Sequence, residues 1–259
     1  MKGPDLVAVN LIAFQVPSEI VAIIEKIQES RPIILFLLAL APGLAIALYV
    51  YWRDKHEKEP VVLLLKCFTL GALTCIPAAI AESIFLDSHF LDPETDTDLS
   101  SAFIAAFVIV GFFEEWVKYL VLVLYAYRKP AFNEPFDGIV YAVMISLGFA
   151  TLENIFYVAE GGIGTAVARM FTAVPMHAAF GIFMGYFVGK AKFQQQAGKW
   201  ITRLQGLAIA VLLHGAYDFL LFQDESTLLT FAVLPLIIGS FVYCRKAMGH
   251  HVKASPFKE

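Results

Sequence analysis

The sequence predicts an all-α membrane protein, a polytopic bundle of about seven transmembrane helices. Of its 259 residues, 59% are hydrophobic and 16% are charged, whereas a soluble domain usually carries about 25% charged residues. Several runs contain about 20 mostly apolar residues, the length that crosses the hydrocarbon core of a bilayer. The net charge of −4 and the lack of a basic, aromatic patch give no indication of nucleic-acid binding.

Seven apolar stretches are predicted to span the lipid bilayer: residues 32–52, 61–86, 101–127, 136–159, 165–190, 202–222 and 228–244. Residues 6–24 form a weaker stretch because Gln15, Pro17 and Glu19 interrupt it. We expect this stretch to lie on the membrane surface, although a poor first span remains an alternative. The chain therefore divides into an N-terminal extracytoplasmic or interfacial segment (1–31), a transmembrane domain (32–246) and a cytoplasmic tail (247–259).

The charges of the connecting loops predict the orientation. Basic residues follow the first, third, fifth and last predicted spans: Arg53, Lys55, Lys58, Arg128, Lys129, Lys190, Lys192, Lys199, Arg203, Arg245, Lys246 and Lys253. The alternate loops, residues 87–100, 160–164 and 223–227, contain no lysine or arginine. The positive-inside rule therefore places the C-terminus in the cytoplasm and the N-terminal segment outside.

Among the ionisable residues inside the apolar stretches, six carry the functional prediction: Glu114, Glu115, Glu153, His177, His214 and Asp218. Each is a candidate functional residue, because a charged side chain at the bilayer centre costs at least roughly 2.5–3.5 kcal/mol. With the predicted orientation and about 1.5 Å of rise per residue, all six lie in the middle or outer half of the membrane. We therefore expect a site that opens to the extracytoplasmic side and that activates water, binds a metal or relays protons.

The first motif is Glu114-Glu115-x-x-Lys118. Adjacent residues point about 100° apart around a helix, so one glutamate can face a reacting water while the other pairs with Lys118. Two neighbouring carboxylates suit general acid–base chemistry. The alternative is an ion pair that only braces the helix bundle.

Two histidines mark separate predicted spans. His177 follows Pro175, and a proline inside a span leaves irregular backbone that is tolerated beside protein or a cavity. His214 and Asp218 lie four residues apart and share a helix face, which suits two metal ligands or a ligand and its orienting carboxylate. The alternative for each histidine is a simple buried hydrogen bond.

Glu153 and Asn154 follow the sequence Gly-Phe-Ala-x-x. Glu153 can bind a metal or orient a partner, and Asn154 can both donate and accept hydrogen bonds. The alternative is ordinary polarity of a helix that approaches water. Glu82 and Arg169, which also lie near predicted outer helix ends, are interpreted as loop-facing or packing residues, with the lining of a substrate entrance as the alternative.

The residues alone leave more than one function open. The chain has no Gly-x-Ser-x-Gly elbow and no His-Glu-x-x-His helix, which argues against serine hydrolases and zincin-like proteases. A proton- or cation-coupled transporter would also carry embedded Glu and His residues, but we find none of the internal repeats that transporters commonly show. A non-enzymatic immunity or scaffold protein is a third alternative.

The motifs resemble those of the PrsW family of intramembrane proteases, within the wider superfamily of CaaX prenyl proteases and bacteriocin-immunity proteins. The resemblance covers roughly residues 101–222 and rests on these segments in order: Glu114-Glu115-x-x-Lys118, Gly-Phe-Ala-x-x-Glu153-Asn154, His177 after a proline, and His214-x-x-x-Asp218. It implies a protease of the bacterial cell membrane that cuts a single-pass protein, such as an anti-sigma factor, near the outer face. Two departures from the CaaX branch, at Lys118 and at Glu153-Asn154, argue against prenylated substrates.

By this resemblance, Glu114, Glu115, His177 and His214 are catalytic candidates, with Lys118 and Asn154 in supporting positions. In one mechanism, Zn²⁺ is held by His177, His214 and either Glu153 or Asp218, and a carboxylate of the Glu114/Glu115 pair removes the proton from water. In a metal-free mechanism, one of these glutamates acts with His177, while His214 and Asp218 stabilise the oxyanion. We favour the metal, because two histidines and several carboxylates exceed what a simple base requires.

Overall fold

A computed structural model describes residues 18–87, 98–195, 197–223 and 226–258. Its helices are α1 (Ser18–Arg53), α2 (Val61–Asp87), α3 (Leu99–Phe103), a π-helix (Ile104–Val110), α4 (Gly111–Leu124), a 3₁₀-helix (Ala126–Arg128), α5 (Pro135–Phe171), α6 (Ala173–Phe193), α7 (Lys199–Phe222), α8 (Thr227–Phe231) and α9 (Val233–Lys253). These ranges contain no strand, which confirms the all-α class. Most of the predicted surface segment, residues 6–17, lies outside the described residues.

Five described segments are long and apolar enough to cross a membrane: Pro32–Arg53, Val61–Leu86, Pro135–Phe193, Lys199–Phe222 and Thr227–Lys253. The predicted count of about seven stays a prediction, because the described helices divide the chain differently in two places. The predicted span 101–127 falls on α3, the π-helix and α4, which are individually short. The segment Pro135–Phe193 contains two predicted spans and comprises α5 and α6. The last helix also continues to Lys253, into the predicted tail.

The long helix α5 folds back on itself at Gly162. This residue has φ 71° and ψ −154°, a backbone conformation that is open to glycine almost alone. Arg169 Nε donates to Asn154 Oδ1 at 2.8 Å, across a separation of 15 residues. In a straight helix those residues would lie about 22 Å apart along the axis, so α5 is a helical hairpin. Its returning arm brings Arg169 back beside the Glu153-Asn154 motif.

Helices α5 and α6 form the centre of the bundle. In the segment Pro135–Phe193, 78% of the most apolar window is buried, compared with 28% for Pro32–Arg53 and 22% for Thr227–Lys253. The outer helices instead expose large apolar side chains such as Leu48 and Ile238. Lipid tails are as apolar as these side chains, so such exposure is stable in a bilayer and costly in water.

Four acidic side chains are buried where α1 ends and α5 begins. Asp54 and Asp137 are 0% exposed, Glu134 is 1% exposed and Glu59 is 2% exposed. Burial, with a smaller contribution from nearby Asp137, raises the pKa of the Glu59 carboxyl from 4.5 to about 10. Burial and the neighbouring Glu134 raise the pKa of Asp54 to about 7. These loop carboxyls therefore hold protons in the folded protein that the unfolded chain would release.

We expect Glu59→Gln to raise the thermal midpoint of the protein in detergent at pH 8 and to leave it almost unchanged near pH 4. In the folded state Glu59 must keep its proton up to about pH 10, whereas the unfolded residue titrates near 4.5. Its contribution to stability is therefore lost progressively as the pH rises through this window. The side-chain amide of glutamine can still donate a hydrogen bond to Asp137, but it has no proton that titrates in this range. An equal shift at both pH values would show that packing alone is responsible.

Candidate active site

Lys118 lies at the centre of the buried polar groups. Its Nζ donates to Glu114 Oε2 at 2.9 Å and to Glu115 Oε1 at 2.9 Å, and it lies 3.3 Å from His177 Nδ1. It also sits 3.8 Å from the ring centroid of Phe149. The expectation that Lys118 pairs with only one glutamate was wrong. Its long stem reaches between residues three and four positions earlier on α4, so the ammonium bonds both carboxylates.

His214 of α7 joins this group through both ring nitrogens. Nδ1 lies 2.9 Å from Glu115 Oε1, and Nε2 lies 3.8 Å from Glu114 Oε2. Nε2 is also 3.2 Å from Asp218 Oδ2, within ion-pair distance but without the alignment of a hydrogen bond. As the spacing of four residues predicts, His214 and Asp218 share one helix face. The ring is therefore held between carboxylates of two helices.

His177 of α6 is connected to the α5 hairpin. Its Nε2 lies 3.0 Å from Glu153 Oε2, and Arg169 Nη2 donates to the same oxygen at 2.5 Å. Asn154 accepts from Arg169 and donates through Nδ2 to the carbonyl of Ala39 at 2.9 Å. This chain of hydrogen bonds fixes the Glu153 carboxylate and, through it, the imidazole. Sequence reasoning missed the role of Arg169, although an arginine embedded in an apolar stretch was a usable signal.

The local backbone explains how α4 and α7 approach each other. The π-helix ends directly before Gly111, and π-helical turns often occur at functional sites because the extra residue re-aims the following side chains. A Cβ at Gly111 would lie 3.1 Å from the backbone nitrogen of Gly215. Glycine at both positions therefore permits the close contact that brings Glu115 to the imidazole of His214.

Aromatic side chains enclose the polar groups. The ring of Phe180 stacks on that of His214, with centroids 4.7 Å apart and planes 19° apart. The two imidazoles, of His177 and His214, meet edge to face at 5.2 Å. Such apolar walls keep water away and strengthen the electrostatic interactions inside. Phe180 and Phe149 were not identified from the sequence, because phenylalanines are common throughout the chain.

Four of these residues could hold a metal ion: Glu114, Glu115, His177 and His214. One ligand atom from each lies within 4.8 Å of all the others, and all four are buried. Two imidazoles with carboxylates match the donors that zinc accepts in catalytic sites, and Glu115 Oε2 is buried without a hydrogen-bond partner among the described residues. The donor set therefore fits a transition metal, although the Lys118 ammonium would share the same carboxylates.

This group differs from the predicted ligand set in its carboxylates. Glu153 and Asp218 were predicted as alternative third ligands, and each lies beside one histidine: Glu153 Oε2 is 3.0 Å from His177 Nε2, and Asp218 Oδ2 is 3.2 Å from His214 Nε2. From there each carboxylate can fix the orientation of an imidazole, and its role as a ligand stays a prediction. The spacing of four residues indicated the contact of Asp218 with His214, whereas Glu153 reaches His177 from another helix.

A cavity of about 750 Å³ reaches this group. Its lining includes Glu114, Glu153, His177, His214 and Asp218, but not Glu115. Glu114 is therefore the member of the glutamate pair that a molecule in the cavity can touch. Glu115 is 0% exposed and has contacts with Lys118 and His214.

The known proteins that match this chain all belong to one family. The sequence model described as "PrsW family intramembrane metalloprotease" matches residues 59–244. The chain is 37% identical over 205 residues to Protease PrsW of Shouchella clausii, covering 79% of this chain and 90% of that protein. Identity is 37% over 184 residues with Protease PrsW of Bacillus subtilis (70% and 80%) and 31% over 209 residues with that of Clostridioides difficile (79% and 86%). No solved structure matches. The chain therefore belongs to the PrsW family of intramembrane metalloproteases, and it is an integral membrane protease.

Proposed function

We propose that this protein hydrolyses a peptide bond of a single-pass membrane protein in the outer half of the bilayer. The observation that carries the proposal is the convergence of Glu114, His177 and His214 on a cavity inside an apolar helix bundle, with Glu115 within 4.8 Å of the same group. A buried cluster of this kind is costly unless it is used. The loop charges support a site that opens on the extracytoplasmic side, with the C-terminus in the cytoplasm.

Glu114 is assigned as the general base. It lines the cavity, and its carboxylate is held by Lys118 at 2.9 Å. From this position it removes a proton from the attacking water and returns that proton to the leaving amine. Lys118 donates to both Glu114 and Glu115 and so keeps the Glu114 carboxylate in place. Its ammonium also supplies fixed positive charge beside the developing oxyanion.

His177 and His214, with the Glu115 carboxylate, would hold a Zn²⁺ ion, which leaves Glu114 free to act as the base. When bound there, such an ion supplies Lewis-acid chemistry, polarising the scissile carbonyl and making water more acidic. Glu153 and Asp218 lie beside His177 and His214 respectively and orient the two imidazoles. Apolar walls that include Phe149 and Phe180 limit the access of bulk water.

The proposed substrate is a membrane-anchored regulator with one transmembrane helix, such as an anti-sigma factor. The resemblance to the PrsW family and a cavity that is enclosed by transmembrane helices support this class. A helix must unwind before its peptide bond can be attacked, and the polar groups of the cavity can bond the amides that unwinding frees.

The proposed function is tested with purified protein in proteoliposomes and a single-pass reporter peptide. We expect one main cut, and sequencing of the products should place it in the half of the reporter helix nearest the extracytoplasmic side. Glu160→Gln is a matched control, because Glu160 is exposed and does not line the cavity. A cut on the cytoplasmic side would overturn the proposed orientation, and intact reporter would count against this substrate class.

A further inference from the structure

One acidic side chain of the cavity has no role in the mechanism. Helix α2 lines one wall with Cys75, Ala79, Glu82 and Leu86, whose spacing of three to four residues places them on a single helix face. Glu82 Oε1 is buried and has no hydrogen-bond partner among the described residues. A carboxylate oxygen in this condition is costly unless a ligand supplies a donor.

The other charged groups around the cavity already have partners. Glu114 is bonded by Lys118, Glu153 by Arg169 and Asp218 lies against His214. Among the described residues that line the cavity, Arg169 is the one lysine or arginine, and Glu153 and Asn154 occupy it. The wall at Glu82 therefore carries acidic charge without a matching cation, so a cationic group fits there best.

The position of Glu82 along α2 sets its distance from the reaction. Cys75 packs with Phe149, and the ring of Phe149 lies under the Lys118 ammonium. Because Lys118 bonds Glu114 and Glu115, Cys75 lies at about the same depth in the bundle as these two glutamates. Glu82 follows seven residues later, about 10 Å along the helix axis toward its Asp87 end. An extended peptide covers that distance in about three residues.

We propose that Glu82 is a specificity residue that receives a lysine or arginine side chain of the substrate, about three residues from the scissile bond. The assignment rests on the proposed proteolytic function. A basic side chain would enter between the apolar residues of α2 and pair with the carboxylate away from bulk water. A substrate backbone amide could also donate to Glu82, but it would not distinguish lysine from glutamine.

Binding is the direct test, because it does not require cleavage. Full-length Glu114→Gln protein in detergent is titrated with fluorescent single-pass peptides that carry Lys, Gln or Glu at one position, moved stepwise along the peptide. We expect the Lys peptide to bind about tenfold more tightly than the Gln peptide at one position or two adjacent positions, as a charged hydrogen bond at a partly buried site predicts. Equal affinities at every position would overturn the proposal.

Variants of Glu82 in the Glu114→Gln protein test whether Glu82 is the residue that pairs with the lysine of the peptide. Glu82→Gln should remove the preference for lysine, Glu82→Lys should transfer it to the Glu peptide, and Glu160→Gln should leave it unchanged. A preference that survives Glu82→Gln would refute the assignment. The peptide series alone needs no change at Glu82, so it remains decisive if a variant misfolds. Lys-selective binding without cleavage by the unsubstituted protein would count against the proposed proteolysis and leave the binding result intact.

Discussion

Glu114→Gln should reduce the cleavage of a membrane-anchored reporter by about 10²–10⁴-fold, the usual loss when proton transfer by a positioned side chain is removed. Glu114 is the glutamate of the pair that lines the cavity. Glutamine has nearly the same shape and can still accept from Lys118, so the helix bundle should remain folded. Initial cleavage rates and the thermal midpoint of the purified variant, measured side by side, separate a loss of proton transfer from a loss of folding.

Glu115→Gln is compared with Glu114→Gln to separate support of the site from proton transfer. Glu115 does not line the cavity, and its Oε1 is shared by Lys118 and His214. We expect this change to lower the thermal midpoint together with activity, because it weakens the contacts that hold the site. Full activity in both single variants would remove the glutamate pair from the mechanism.

Loss of either site histidine should remove a bound metal. The purified protein should contain about one transition-metal ion per chain, most simply zinc. His177→Ala and His214→Ala each delete one member of the converging group, so elemental analysis should find little metal in either variant. His56→Ala is the matched control, because His56 is exposed in the loop after α1.

Removal of the metal should also stop the reaction. A strong chelator should abolish reporter cleavage by the unsubstituted protein, and added zinc should restore it. If metal-free protein cleaved the reporter at the full rate, the carboxylates and imidazoles would have to activate water alone, with the Lys118 ammonium as the fixed cation of the site.

The sequence predicted what depends on local spacing. Apolar run length gave the helical class and most helix positions, and a separation of four residues placed His214 beside Asp218. Embedded charge identified Glu114, Glu153, His177, His214 and Asp218, which line the cavity, but not the roles of Glu82 and Arg169. Family membership was predicted correctly from the order of four motifs, and the wider relation to CaaX proteases stays a prediction.

What the sequence could not provide depends on the path of the chain in three dimensions. Arg169 reaches Glu153 because α5 reverses at Gly162, and nothing local indicates which polar groups such a reversal brings together. The predicted ligands Glu153 and Asp218 illustrate the same limit. Spacing places Asp218 beside His214, but only the packing of α5 against α6 brings Glu153 to His177.

The most direct test of the central claim is mass spectrometry of the reporter fragments after cleavage in H₂¹⁸O. If water activated at Glu114 attacks the peptide bond, the new C-terminal carboxylate of one fragment should carry ¹⁸O, and the Glu114→Gln protein should yield almost none of this fragment. Equal amounts of labelled fragment from both proteins would contradict the role of Glu114, and an unlabelled new terminus would contradict hydrolysis itself.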